Sequence, residues 1–204
     1  FAAESANGVF ATLSHTVTVG AGVATQLAIT QQSSVARAGQ NLVDQPIIEI
    51  RDSAGNRVTN STLEVAIGIE GATLAGQTTT SAVAGTASFT SVVVSGSASD
   101  EVTLSYSIQY LGQTISTSAS LQLLAGDAAS ASLSWAVTDV QTRVAPQNTP
   151  IVSLFDEFGN PVLSDSSSTL TASLYRAGVL VTESSTLFTA SSGEITVNSL
   201  ALRA

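Results

Sequence analysis

Catalysis and metal binding draw on few side-chain types, and this 204-residue chain is poor in them. Cys and Met are absent, the basic residues are six scattered Arg with no Lys, and His15 is the single histidine. Disulfides, thiolate metal sites, Schiff bases and lysine isopeptide cross-links are therefore excluded. One histidine cannot build a His-based metal site or relay within a chain, and no Gly-x-Ser-x-Gly elbow surrounds a serine. No enzymatic activity and no cofactor are expected. The remaining chemistry-bearing residues are carboxylates. Asp52, or Asp156 with Glu157, could be read as a calcium ligand set. Calcium takes about six to eight oxygens, and each run offers only two or three. The competing reading is a tight turn, in which Asp accepts backbone hydrogen bonds and Gly-Asn supplies positive φ. The turn is the expectation, with no metal site.

Two further side chains invite a role. His15 lies on a row with Leu13, Val17 and Val19 and is read as a packing or edge residue rather than a pH switch. Trp135 is read as core or inter-domain packing rather than a platform for sugars.

The elements that hold these residues follow a period of two. Val102, Leu104, Tyr106, Ile108 and Tyr110 alternate with polar residues, as do Ile115, Thr117, Ala119, Leu121 and Leu123, and Leu63, Val65, Ile67 and Ile69. Such alternation makes half-buried strands. Gly, Asn, Asp and Ser interrupt them at short intervals, and no segment has an amphipathic helical pattern. Strands are expected at 24–31, 46–52, 62–69, 72–80, 86–94, 102–110 and 114–124, the size of an immunoglobulin-type antiparallel sandwich. The fold class is all-β, as tandem immunoglobulin-like sandwiches.

Charge narrows the partners. Only 10% of residues are charged, against about a quarter in ordinary soluble domains, so Ser and Thr hydroxyls must solvate the surface. The net charge is −9 and no basic stripe exists, which argues against nucleic acid. No apolar run approaches the ~20 residues of a membrane helix, so no membrane insertion is expected.

The chain repeats itself. Asp52-Ser-Ala-Gly55-Asn56-Arg-Val58 returns 104 positions later as Asp156-Glu-Phe-Gly159-Asn160-Pro-Val162, and Pro46 and Ala21-Gly22-x-Ala24 return at the same spacing as Pro150 and Ala125-Gly126-x-Ala128. Gly85-x-Ala87-x-Phe89-x-x-Val92-x-Val94 returns 108 positions later, from Gly193 to Leu202, so about four extra residues enter the second copy near Tyr175–Gly178. Second-copy strands are expected at 128–137, 150–156, 168–175, 179–189 and 194–202, without the last two of the set. Residues 1–7 and 10–19 read as those last two strands of a preceding unit. The division is then 1–20 as terminal strands of a preceding sandwich or a donor strand, 21–125 as a complete sandwich, and 126–204 as a sandwich lacking two strands.

Those two strands would carry a row equivalent to Val102, Leu104, Tyr106, Ile108, Leu121 and Leu123. At roughly 1.5–3 kcal/mol each, that row exceeds about 9 kcal/mol, comparable to the stability of a whole domain. Two readings supply it. Either the chain is a slice of a longer array whose neighbours complete both ends, or it is a subunit whose N-terminal segment completes another subunit by strand addition. In the second case Phe10, Leu13, Val17 and Val19 form the complementation interface. The expected partner is in both cases self, as neighbouring repeats or subunits joined end to end.

The segments Ala24-Thr-Gln-Leu-Ala-Ile-Thr30, Gln45-Pro-Ile-Ile-Glu-Ile-Arg-Asp-Ser-Ala-Gly-Asn-Arg-Val58 and Gly85-Thr-Ala-Ser-Phe-Thr90 resemble bacterial immunoglobulin-like repeats, the tandem modules of invasin- and intimin-type surface proteins and large adhesins. The resemblance spans essentially the whole chain. It implies a bacterial cell-surface, extracellular stalk or filament acting in cell adhesion, with any host or cell-surface ligand bound elsewhere in the full protein. It carries over no catalytic residue. A glycan-binding module using the loops at one sandwich end is the expectation from a different class.

Overall fold

The computed structural model describes residues 2–4, 10–12, 15–16, 20–135, 149–173, 175–176, 179–180 and 186–197. In chain order its strands are β1 (Ala2–Glu4), β2 (Phe10–Thr12), β3 (Gln26–Gln31), β4 (Val35–Arg37), β5 (Gln40–Asn41), β6 (Ile47–Arg51), β7 (Glu64–Glu70), β8 (Thr73–Gly76), β9 (Thr79–Ser81) and β10 (Thr86–Ser88). They continue with β11 (Val92–Ser95), β12 (Ser99–Tyr110), β13 (Gln113–Leu124), β14 (Ser130–Ser134), β15 (Ile151–Phe155), β16 (Thr169–Ala172), β17 (Tyr175–Arg176), β18 (Val179–Leu180), β19 (Thr186–Thr189) and β20 (Glu194–Thr196). Every element among the described residues is a strand, and the architecture is all-β with an immunoglobulin-like sandwich.

The first sandwich places the sheet β10–β6–β3 against the sheet β4–β13–β12–β7–β9, with a third short sheet ordered β5–β11–β8. The alternation sets the core. On β12 the residues Val102, Leu104, Tyr106 and Ile108 are buried while their neighbours face out, and β13 adds Leu121 and Leu123. These pack in one cluster with Leu27, Ile48, Ile50, Val65, Ile67 and Ala87. Each such side chain contributes roughly 1.5–3 kcal/mol by leaving water. Tyr106 is fully buried, and its hydroxyl donates to Gln32 Oε1 at 2.8 Å, so the one polar atom on that row has a partner.

The expected strands at 72–80 and 86–94 each prove to be two. β10 pairs with β6 while β11 pairs with β5 and β8, so the chain changes sheets around Phe89. The change is fixed by hydrogen bonds: Phe89 N donates to Pro46 O, and Thr90 N donates to Gln77 Oε1. β8 and β9 likewise serve different sheets. The segment 33–42, where no strand was expected, adds β4 and β5, and β4 runs parallel to the end of β13.

The second copy rebuilds part of this plan. β14–β15–β20 has the order of β3–β6–β10, and β16 pairs with β19. Val152, Leu154, Val162, Phe188, Ala190, Ile195 and Val197 form its core among the described residues. The hairpin β17–β18 lies where the internal spacing changes from 104 to 108. A two-residue turn recurs on both sides of that change. Ala84 and Gly85 have φ of 50° and 77°, and Ser192 and Gly193 have 53° and 75°, the all-positive pair that matches strand twist. A Cβ on Gly85 would sit 2.4 Å from Val58 O, and one on Gly193 would sit 2.3 Å from Val162 O, so glycine is required twice for one reason. At the N-terminus β1 and β2 pair antiparallel, with Ala3 opposite Ala11.

Candidate functional site: a repeated corner at the sandwich junction

The Asp-x-x-Gly-Asn runs leave β6 and β15 and make the same structure. Asp52 Oδ1 accepts from Ala54 N and Asn56 N, each at 2.9 Å, while Oδ2 accepts from Gly22 N at 2.8 Å and Asn56 Nδ2 at 3.2 Å. Asp156 Oδ1 accepts from Phe158 N at 2.9 Å and Asn160 N at 2.8 Å, while Oδ2 accepts from Gly126 N at 2.9 Å and Asn160 Nδ2 at 2.8 Å. A short carboxylate closes the turn with one oxygen and, with the other, holds the chain just before the sandwich's first strand. Both aspartates are buried, at 5% and 2% exposure. Burial without donors would raise their pKa. Gly22 N foremost, then Asn56 and Ala54, hold Asp52 below the ordinary carboxylate value. At Asp156 burial acts upward, and the N–H groups of Asn160, Gly126 and Phe158 overcome it.

The turn expectation for these residues is met at the glycines, with φ of 85° at Gly55 and 81° at Gly159; the asparagines do not share the positive φ expected of them. Their work is done by the side chain. Asn160 reaches across to the loop between β11 and β12 of the first sandwich, where its Oδ1 accepts from Ala98 N at 2.7 Å and its Nδ2 donates to Gly96 O at 2.9 Å. An amide pairs one acceptor with two donors, so a single short side chain serves an N–H, a carbonyl and the Asp156 carboxylate at once.

The linker between β13 and β14 is held along its length. Arg37 Nη1 donates to Ala125 O at 3.3 Å and to Ser164 Oγ at 3.4 Å, Gly126 N donates to Asp156, Gln40 Nε2 donates to Asp127 Oδ2 at 2.8 Å, and Ala129 N donates to Phe155 O at 2.8 Å. Backbone contact is equally close. A Cβ on Gly126 would lie 2.4 Å from Ala38 O, and one on Gly39 would lie 2.8 Å from Glu157 Oε1 and 3.1 Å from the Phe158 ring. Glu157 thus sits against the first sandwich rather than beside Asp156 as a second ligand. Beside the clamp a cleft of about 510 Å³ opens, lined by Arg37, Ala98, Leu124 and Leu163 among others.

The other expected residues are dispersed. Phe10 lies on β2, and Leu13, Val17 and Val19 lie outside the described residues. His15 is exposed. Trp135 is 42% exposed and belongs to neither buried core, contrary to the packing expected of it. Among the described residues no group of three or more His, Asp or Glu is placed to hold a metal ion, and no helix is long and apolar enough to cross a membrane. Sequence reasoning did not assign Arg37, Gln40, Asp127 or the Asn160 contacts, although the joint recurrence of Gly22 with Asp52 and Gly126 with Asp156 was their one visible signal.

No family model matches the chain, and no curated protein does. Among solved structures it is similar to FdeC, described as a broadly conserved Escherichia coli adhesin eliciting protection against urinary tract infections. Identity is 19% and the TM-score is 0.48, and the match covers 91% of this chain and 65% of that one.

Proposed function

We propose that the chain is a non-enzymatic structural repeat of a bacterial extracellular fibre or adhesin stalk, in which each sandwich is a rigid spacer and neighbouring repeats are the partners. The observation that carries this reading is the linker 125–129, hydrogen-bonded at Ala125, Gly126, Asp127 and Ala129. A short connection held at successive residues restrains bending, whereas an untethered linker of the same length lets domains reorient. Residual dipolar couplings measured on the full chain test it. One alignment tensor shared by 24–124 and 150–197 is the expected result, and two independent tensors would reject a rigid spacer.

A second reading, a filament subunit polymerised by donor-strand exchange through residues 1–19, draws on one observation. β1 and β2 form a two-stranded sheet of their own, and an isolated hairpin is marginal in water unless it packs on something. Size-exclusion chromatography separates the two: a monomer favours the spacer, and heat-stable, SDS-sensitive polymers favour exchange. The cleft beside Arg37 is the place a glycan-binding module would use, and a glycan array without saturable signal removes that alternative.

A further inference from the structure

We propose that the corner formed by Gly22, Asp52 and Asn56 on the first sandwich is a docking site for the loop equivalent to Gly96–Ala98 of a second copy of this module. The inference rests on the spacer reading in that it needs a neighbouring module, and it names the residues that fix the neighbour.

The argument compares two copies of one device. In each, an aspartate holds a glycine N–H and an asparagine side chain, with the four hydrogen bonds described above. In the second copy the device is filled. Asn160 is 6% exposed and holds Ala98 N and Gly96 O, while Ala38 O closes over Gly126. In the first copy the same device is open. Asn56 is exposed, and among the described residues its Oδ1 has no hydrogen-bond partner. A Cβ on Gly22 would meet only Asp52 atoms, the nearest at 3.5 Å. Asp52 nonetheless aims the Asn56 amide as Asp156 aims that of Asn160. The chemistry this amide takes is a carbonyl and an N–H two residues apart on one bent loop, which Gly96 O and Ala98 N present. Gly96 has φ of 140°, a conformation few other residues adopt, so the recognised loop is itself specific to this module. An exposed asparagine on an ordinary solvated turn has no need of an aspartate that also holds the glycine 30 positions earlier.

The test is a chain extended by a second copy of residues 21–124 placed directly before residue 21, compared with the original chain by amide hydrogen exchange. Asn160→Ala in the original chain is the reference and should speed exchange at Ala98 roughly tenfold, the loss of one charge-free hydrogen bond and its neighbours. Asn56→Ala in the extended chain should do the same at the Ala98 of the added copy, while core amides on β12 stay protected in both. Gly22→Ala should speed the same amide in the extended chain and leave the original chain's exchange unchanged. If Asn160→Ala acts and Asn56→Ala does not, docking at Asn56 is overturned and the spacer reading stands. If neither acts, the asparagine contact is overturned at both junctions, docking at Asn56 with it, and the spacer reading is left to the shared alignment tensor that tests it.

Discussion

Asn160 Oδ1 accepts a 2.7 Å hydrogen bond from Ala98 N, tying the turn after β15 to the loop before β12 of the preceding sandwich. The same side chain donates to Gly96 O and to Asp156 Oδ2, so it depends on being an amide. Asn160→Ala should destabilise the second sandwich by about 1–3 kcal/mol, since the buried Asp156 Oδ2 and the partly buried bonds to Ala98 N and Gly96 O are lost together. Asn160→Asp should cost more, because it removes both donors and sets a carboxylate against Asp156. Urea unfolding followed by exchange of the amides at 152–154 ranks the two, and an aspartate milder than alanine would contradict the clamp.

Glycine is required at 126 by approach rather than by φ. The added methyl of Gly126→Ala would meet Ala38 O at 2.4 Å, where backbone must move, whereas that of Gly22→Ala meets Asp52 side-chain atoms at 3.5 Å, ordinary van der Waals contact. Overpacking of this kind costs about 1–3 kcal/mol. Gly126→Ala should therefore lower the unfolding midpoint of the second sandwich, and Gly22→Ala in this chain should leave the first near its original value. Differential scanning calorimetry reads both, and equal shifts would show that the two corners are equally packed.

Acid should act at the corners. Asp52 and Asp156 have folded-state pKa values below the ordinary one, as does Asp165, held down to about 2 by the Ser168 hydroxyl and the N–H groups of Ser168 and Ser167. A folded pKa below the unfolded ~3.9 contributes stability that is present above the unfolded value and lost as pH falls through the folded one. Stability should be level from neutral pH to about 5 and fall steeply below about 4. Asp156→Asn should flatten that fall. Urea midpoints measured across this range check it; a decline beginning near pH 6 would mean that these carboxylates do not set the acid limit.

The strands were legible because burial on one face imposes a period of two, and Val102 to Ile108 obey it without exception. The corners were legible as turns because Asp and Gly have local reasons to be there. What the sequence concealed was non-local. Thr86–Ser95 marks the sheet change only by a missed alternation, with Phe89 and Val92 buried three positions apart, and nothing local says which sheet follows; the switch is made by Pro46 O and Gln77, which lie 43 and 13 positions away from their partners Phe89 and Thr90. The asparagines were hidden in the same way. An Asn after Gly has a ready local explanation, so its contact with a loop 62 positions earlier leaves no mark on composition or period. Trp135 misled because a large aromatic on an expected strand ordinarily packs, yet β14 is exposed at every position from Ser130 to Ser134.

The calcium reading of Asp52, or of Asp156 with Glu157, meets the geometry at the lone pairs. Each aspartate already accepts four N–H bonds, two on each oxygen, so a cation would have to displace donors that also close the turn and hold the linker. Hydrogen bonds to a charged acceptor are worth about 1.5–3 kcal/mol each, and the cation would gain too few oxygens in return, since calcium needs about six to eight. Glu157 lies against Gly39, across the junction. The unfolding midpoint of the full chain should therefore be the same in millimolar calcium as in excess chelator. A rise of several degrees with calcium, abolished by Asp156→Asn, would mean that the corner opens its carboxylate to a cation and that the junction is set by metal rather than by amide hydrogen bonds.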